Sequence, residues 1–204
     1  VENTTQRIAR KAANLGRKPS KSAAFYIVLS IVENYGATDE QLAQLYAFFL
    51  PPVAKIKSPF DWLVKARGEK DVRYYLNHVY SDGKKTMATD GHRAHVINEK
   101  RPAGWYDDND QLIQDPAWAK YPDVMAVLPC KGKEIALKLE ELPIHTVSDK
   151  VFLYVMPNGQ GMNKKYLDQA CGLSPDYVLT YFPESDRCKV AYDNAEAVIM
   201  GRRM

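Results

Sequence analysis

The sequence predicts an α+β protein in which an N-terminal helical segment precedes two halves, each running strand, helix, then strands. Three observations predict it. Over about the first fifty residues, apolar side chains recur at helical spacing and Pro51-Pro52 closes the pattern. From Val53 onward the texture changes to short runs rich in Tyr and Val, broken by Asp-Gly turns. The order of elements in the second half then repeats that of the first, an internal symmetry that outweighs any single motif.

The first 22 residues are basic, with Arg7, Arg10, Lys11, Arg17, Lys18 and Lys21 against Glu2 alone. They read as a solvated tail or as an arm that lies along phosphate. SAAFYIVLSIVENYG, residues 22–36, is apolar around most of a helical circumference and stops at Gly36. In TDEQLAQLYAFFLPP, Thr38 and Gln41 form a capping-box pair, and Leu42, Leu45, Tyr46 and Phe49 share one face. A helix-turn-helix DNA reader fits this pair of helices, but so does an ordinary helical hairpin. Residues 1–52 are therefore expected to form a basic arm and helical pair, and 53–204 a second domain.

That domain opens with VAKIK, which alternates like a strand. Ser58 caps a helix whose first position is Pro59, with Phe60, Leu63 and Val64 on one face. RYYLNHVYSDGKKTMATDG reads as two strands joined at Asp82-Gly83. Residues 98–120 read as an irregular insertion carrying Trp105 and Trp118, long enough to suggest a function. YPDVMAVLP looks extended, and EIALKLEEL fits a strand or a short helix. KVFLYVMP is a strand, and Asn163 caps a helix that stops at Gly172. SPDYVLTYFP, DRCKVAYD and AEAVIMGRR close as strands.

Composition narrows the class. The chain has 204 residues, 46% of them apolar, which suits one domain with or without a small appendage and excludes a disordered chain. A net charge of +3 permits nucleic-acid contact without demanding it. Cys130, Cys171 and Cys188 are odd in number and far apart, so reduced thiols and a cytoplasmic location are expected. No apolar run approaches the ~20 residues of a membrane helix, and the start does not read as a signal peptide.

The most informative stretch is KKTMATDGHRAHVI, residues 84–97. Asp90-Gly91 is a turn pair, and Asp90 can accept backbone N–H bonds there. His92 and Arg93 leave it in different directions. A metal site would recruit Asp90, His92 and His95. On a strand, however, positions 90 and 92 share a face and 95 does not, and no second His/Cys cluster lies nearby. An acid/base pair of Asp90 and His92 lacks a nucleophile. A turn of purely structural purpose is the third reading.

Four segments carry a resemblance: DVRYYLN (71–77), MATDGHRAHV (87–96), KYPDVMAVLP (120–129) and the terminal KVAYDNAEAVIMGRRM (189–204). In this order they resemble the bacterial sliding clamp, the beta subunit of DNA polymerase III, where the runs read roughly VRYYLNG, ATDGHRLA, FPDYxRVLP and VMPMRL. The resemblance covers roughly residues 53–204 and does not reach the helical start. It implies the DNA-clamp (processivity-factor) fold and a non-catalytic role without cofactor. The expected partners are double-stranded DNA, held without sequence preference, and a DNA polymerase or other clamp-binding peptide.

The resemblance also implies site residues. Thr89, Gly91, His92, Arg93 and Ala94 would form one wall of a partner-peptide pocket. Pro122 and Val127 would form a second, and Val198, Met200, Arg203 and Met204 a third. Lys65, Arg67, Lys70, Arg73, Lys164 and Lys165 would meet phosphate, and Tyr74 and Tyr75 match a tyrosine pair that touches DNA in the family. There are departures too. The family has three clamp domains per chain and closes six into a ring, whereas this chain has room for about one. Such economy suggests a phage or mobile-element version. Ala126 stands where the family has an arginine, and Gly201 follows Met200 where the family has a proline.

A ring would need about six such chains, joined at sheet edges. The alternatives are a monomeric or dimeric clamp-like interaction module that does not encircle DNA, and a metal-dependent hydrolase using Asp90, His92 and His95.

Overall fold

The structure is a computed structural model that describes residues 55–114, 120–148 and 151–201. The chain divides into two compact units, Val1–Pro52 and Val53–Met204. The basic arm and the helical pair fall outside the described residues, as do Trp118, Arg203 and Met204.

Helix α1, Pro59–Val64, begins where its cap requires. The Ser58 side chain accepts from the Asp61 amide at 3.1 Å, and Pro59 occupies the first turn, where a missing N–H costs nothing. The helix buries Trp62 and Leu63 completely. The residues before it do not form the predicted strand: Lys55–Lys57 have no strand assignment. The Lys57 amide is instead bound to the Asp61 carboxylate at 3.0 Å, so this segment serves the helix start rather than a sheet.

Tyr74–Asn77 is a 3-10 turn, not the strand expected for RYYLN. The Asn77 side chain accepts from the Asp71 amide and donates to the Asp71 carbonyl, both at 2.9 Å, which closes the loop on itself. Strand β1 (Val79–Ser81) then turns at Asp82-Gly83 into β2 (Thr86–Thr89), and β3 (Arg93–Ile97) follows. Asp82 Oδ1 accepts from the amides of Lys84 and Lys85, and Gly83 has φ 92°. The expected irregular insertion contains a strand, β4 (Gly104–Tyr106), that pairs antiparallel with β1. Asp107 makes it turn by accepting from the amides of Asn109 and Gln111, which brings Leu112 back beside Tyr106.

The run YPDVMAVLP is also not extended. Val124–Ala126 is a 3-10 turn capped by the Asp123 carboxylate, which accepts from the Ala126 amide. Then come β5 (Ile135–Leu137), the unforeseen β6 (Ile144–Ser148), β7 (Val151–Val155) and β8 (Gly161–Asn163). Helix α2, Lys164–Ala170, is capped by Asn163 as expected. At its end, a Cβ on Gly172 would stand 3.1 Å from Ile56, so close packing keeps that position a glycine. The last three strands are β9 (Val178–Phe182), β10 (Arg187–Ala191) and β11 (Ala195–Met200).

Among the described residues, eight strands form one antiparallel sheet in the order β4-β1-β2-β3-β11-β10-β9-β5, and β6-β7-β8 form a second. Each half contributes a helix followed by a three-strand meander. The β3–β11 pairing, Arg93 opposite Ile199 through Ile97 opposite Ala195, joins the two meanders.

Both faces of the large sheet are covered around that seam, so β3 is buried at all five positions instead of alternating. Ile97 of β3 and Ala195, Ala197 and Ile199 of β11 pack with Trp62, Leu63, Leu167 and Ala170 of the two helices. Ala94, Val96 and Val198 face the opposite way, onto Tyr121, Val124 and Leu128. The helices are tied together as well: the Trp62 indole donates to the Ala170 carbonyl at 3.1 Å. Among the described residues, no helix is long and apolar enough to cross a membrane.

Candidate functional site

The turn between β2 and β3 stands at the end of this seam. Gly91 has φ 90°, a conformation that costs a side-chain-bearing residue strain. Asp90 Oδ1 accepts from the amides of His92 and Arg93 at 2.9 and 3.0 Å. The Thr89 hydroxyl donates to the Arg93 carbonyl at 2.6 Å and accepts from the Gly91 amide. The Thr89 and Asp90 side chains thus brace the turn from within. Next to it, the His92 carbonyl accepts from the Met200 amide at 2.9 Å, which aligns the end of β11 with the turn.

These elements enclose a cavity of about 160 Å³. Its walls bring together nine residues expected from sequence: Thr89, Gly91, His92, Arg93, Ala94, Pro122, Val127, Val198 and Met200. Arg73, Tyr75, Leu76, Asp123 and Val124 complete the lining. Arg73 and Tyr75 thus stand in the cavity wall, although the resemblance implies DNA contact for both. Leu76 and Val124 were not singled out, although both stand inside segments that carry the resemblance. Ala126, the position of the family arginine, is exposed and does not line the cavity. Arg187 supports this wall from β10 by donating to the Val127 carbonyl at 3.1 Å.

An apolar cavity of roughly 150 Å³ holds a benzene-sized group. The space thus suits one large apolar side chain with polar groups at its mouth, and is small for a drug-sized ligand or cofactor. His92 and Pro122 are exposed at the rim, while Val127 and Met200 are half-buried.

Arg93 stands in the expected wall, but its charge is taken up inside the protein. Its side chain is 5% exposed and its guanidinium is engaged inside the protein. Nε donates to Asp90 Oδ2 at 3.0 Å, one terminal nitrogen to Gln169 Oε1 at 2.5 Å, and the other to the Lys65 carbonyl. The guanidinium lies 4.0 Å from the centre of the Tyr166 ring. Burial lowers its pKa from the ordinary arginine value, against the pull of Asp90.

Asp90, His92 and His95 do not converge. His95 is wholly buried, stacked 4.1 Å from the Trp62 ring, with Nδ1 2.9 Å from the Trp62 carbonyl. Since a carbonyl only accepts, Nδ1 carries the proton, and Nε2 is left without a partner. Burial pushes its pKa down to about 3, so it stays neutral in ordinary buffers. His92 points to solvent and Asp90 to Arg93. Among the described residues, no three His, Cys, Asp or Glu side chains gather as a metal would require. That geometry removes the residues on which the hydrolase reading depended.

Of the residues expected to touch DNA, Tyr75 is half-buried in the cavity wall and the other seven fall into two groups. Lys65 is paired with Asp61 at 2.9 Å, Arg67 with Asp108 at 2.6 Å and Lys164 with Asp168 at 2.5 Å. The Lys164 side chain is only 12% exposed and Asp168 also accepts from Tyr154, so this pair belongs to the packing of α2. Lys70, Arg73, Tyr74 and Lys165 are exposed, Arg73 being bidentate to Asp71.

No protein-family model matches the chain, and no curated protein sequence matches it. Solved structures do. The DNA polymerase sliding clamp of Caulobacter crescentus superposes with a TM-score of 0.51 at 15% identity, covering 72% of this chain and 62% of that one. The DNA polymerase III subunit beta of Pseudomonas aeruginosa gives 0.48 at 16% identity, covering 71% and 64%. The chain thus spans a little under two thirds of these two clamps. Its fold is clamp-like.

Proposed function

We propose that this chain is a non-catalytic, clamp-like accessory protein of DNA replication or repair that holds a polymerase or other client by a short apolar peptide segment. What carries the reading is the convergence at one cavity. Three stretches far apart in sequence, chosen for their resemblance to a clamp's peptide pocket, meet around a space sized for one apolar side chain. The clamp-like fold supports it. Tethering to double-stranded DNA would use Lys70, Arg73, Lys165 and the exposed Tyr74, with contacts to phosphate rather than bases. Self-association would use the outer strands of the large sheet, β4 and β5, and about six chains would be needed to close a ring.

The test is fluorescence anisotropy with a labelled peptide bearing adjacent Leu and Phe side chains. The full chain is compared with a Val127→Arg, Met200→Lys double variant. Both positions are half-buried at the cavity mouth, so folding should survive. The variant is expected to bind at least about tenfold more weakly, a loss of roughly 1.4 kcal/mol. Equal binding by both proteins, or none by the wild type, would sink the reading.

A second reading is a clamp-like interaction module that does not encircle DNA. It is favoured by the ion pairs that occupy Lys65, Arg67, Arg73 and Lys164. Light scattering over a range of concentrations separates the two: a stable assembly near six protomers supports the ring, and a monomer or dimer throughout supports the module.

A further inference from the structure

We infer that Arg93 is a positioning residue: from beneath the β2–β3 turn it locks the Asp90–His92 wall of the cavity onto both helices, so that the cavity exists before any ligand arrives. The inference rests on the reading of that cavity as a peptide site, and goes beyond it by assigning what keeps the site open.

The geometry is specific to a guanidinium. Three acceptors surround it in three directions: the Asp90 carboxylate on the turn, the Gln169 amide oxygen on α2, and the Lys65 carbonyl just past the last residue of α1. The Tyr166 ring covers a face of the guanidinium. A planar fork satisfies all of these at once, and an ammonium cannot. Asp90 is in turn the residue that holds the amides of His92 and Arg93. The chain of bonds therefore runs from two helices, through one buried cation, to the backbone that shapes the wall.

Gly91, at the crest, has no side chain with which to wedge the turn in place. Above it lies only the exposed Arg73, whose guanidinium nitrogens would sit 3.5 and 3.6 Å from a Cβ there. Removing Arg93 takes the bonded guanidinium from Asp90 and cuts the turn's tie to α1, leaving the Tyr166 hydroxyl of α2 on the Asp90 carboxylate. A cavity open for only a fraction of the time binds its ligand more weakly by that fraction.

The experiment uses the full chain and four variants: Arg93→Lys, Arg93→Met, Gln169→Leu, and Leu153→Ala as a control. Leu153 is buried on β7 and is not among the residues lining the cavity, so its loss lowers the melting temperature without touching the turn. The first readout needs no ligand. Hydrogen exchange at the His92 and Arg93 amides should quicken at least tenfold in Arg93→Met, less in Arg93→Lys and Gln169→Leu, and stay unchanged in Leu153→Ala.

The second readout is binding of the Leu-Phe peptide. The association rate should fall in the same order while Leu153→Ala retains the wild-type rate. Unchanged exchange at these two amides in Arg93→Met overturns the inference, as does equal quickening in the Leu153→Ala control. A wild type that binds no peptide but shows the expected exchange pattern defeats the functional reading and leaves Arg93 as the anchor of the turn.

Discussion

His95 should make the protein lose stability as the solution becomes mildly acidic. Its ring is fully buried, Nδ1–H is spent on the Trp62 carbonyl, and Nε2 faces no donor or acceptor. A second proton on Nε2 would place a charge in the core, with the Arg93 guanidinium as an unfavourable neighbour. Burial therefore lowers the folded pKa from 6.5 to about 3. The sign follows: between these values the unfolded chain binds a proton that the folded chain refuses, so stability is intact above 6.5 and drains away as pH falls toward 3. From pH 7 to pH 5 the loss is about 2 kcal/mol.

The assay is urea unfolding at fixed protein concentration at several values between pH 7 and pH 5, a window that stays above the ordinary carboxylate range. His78, whose pKa burial also lowers, adds a smaller loss of the same sign. His95→Phe keeps the stack on Trp62 and should flatten most of the dependence. Wild-type stability that is equal at pH 7 and pH 5, or a slope that persists in His95→Phe, would refute the reasoning.

Three further outcomes are expected. Ser58→Ala removes the cap of α1 and should cost about 1 kcal/mol, read as a melting temperature lower by roughly 2–4 °C. Gly91→Ala and Gly159→Ala both force alanine into positive φ (90° and 84°), and each should lose roughly 1 kcal/mol or more, measured by urea unfolding. Only Gly91→Ala should weaken Leu-Phe peptide binding, because nothing lies within 4 Å of a Cβ at Gly159. If DNA is bound through phosphate, removing Lys70 and Lys165 together should lower the salt-dependence slope by about 2, whereas Lys164→Ala should leave it unchanged; a Lys164 effect as large as the pair's would overturn the assignment of Lys164 to the interior.

What could be read in the sequence was mostly local. Ser58 with Pro59, Asn163 ahead of its helix, and Asp82-Gly83 each act within about three residues, and each stands where its chemistry placed it. The three closing strands are legible because short apolar runs bounded by turn residues are a local signal too. The failures share a cause. RYYLN has strand composition, yet a side chain six residues away, Asn77 on Asp71, bends it into a 3-10 turn. Gly104–Tyr106 hides among Pro, Gly and Asp, and is a strand only because β1 offers it an edge. His95 has the chemistry of a metal ligand, and its partner, Trp62, lies on a helix 33 residues earlier.

The same distinction separates the two halves of the functional reading. The cavity needs apolar side chains at the ends of three stretches, and a sheet seam such as β3–β11 brings such ends together whatever the solvent does. A cationic surface is different, because a lysine contributes to it only when no carboxylate has claimed the ammonium. Lys164 and Lys165 are adjacent in sequence and look equivalent there. One turn of helix later Asp168 takes the first at 2.5 Å and leaves the second in solvent. Counting basic residues therefore overstates the positive face. The cavity's walls are built by packing, and the arginine in them, Arg93, spends its guanidinium on neighbours inside the protein.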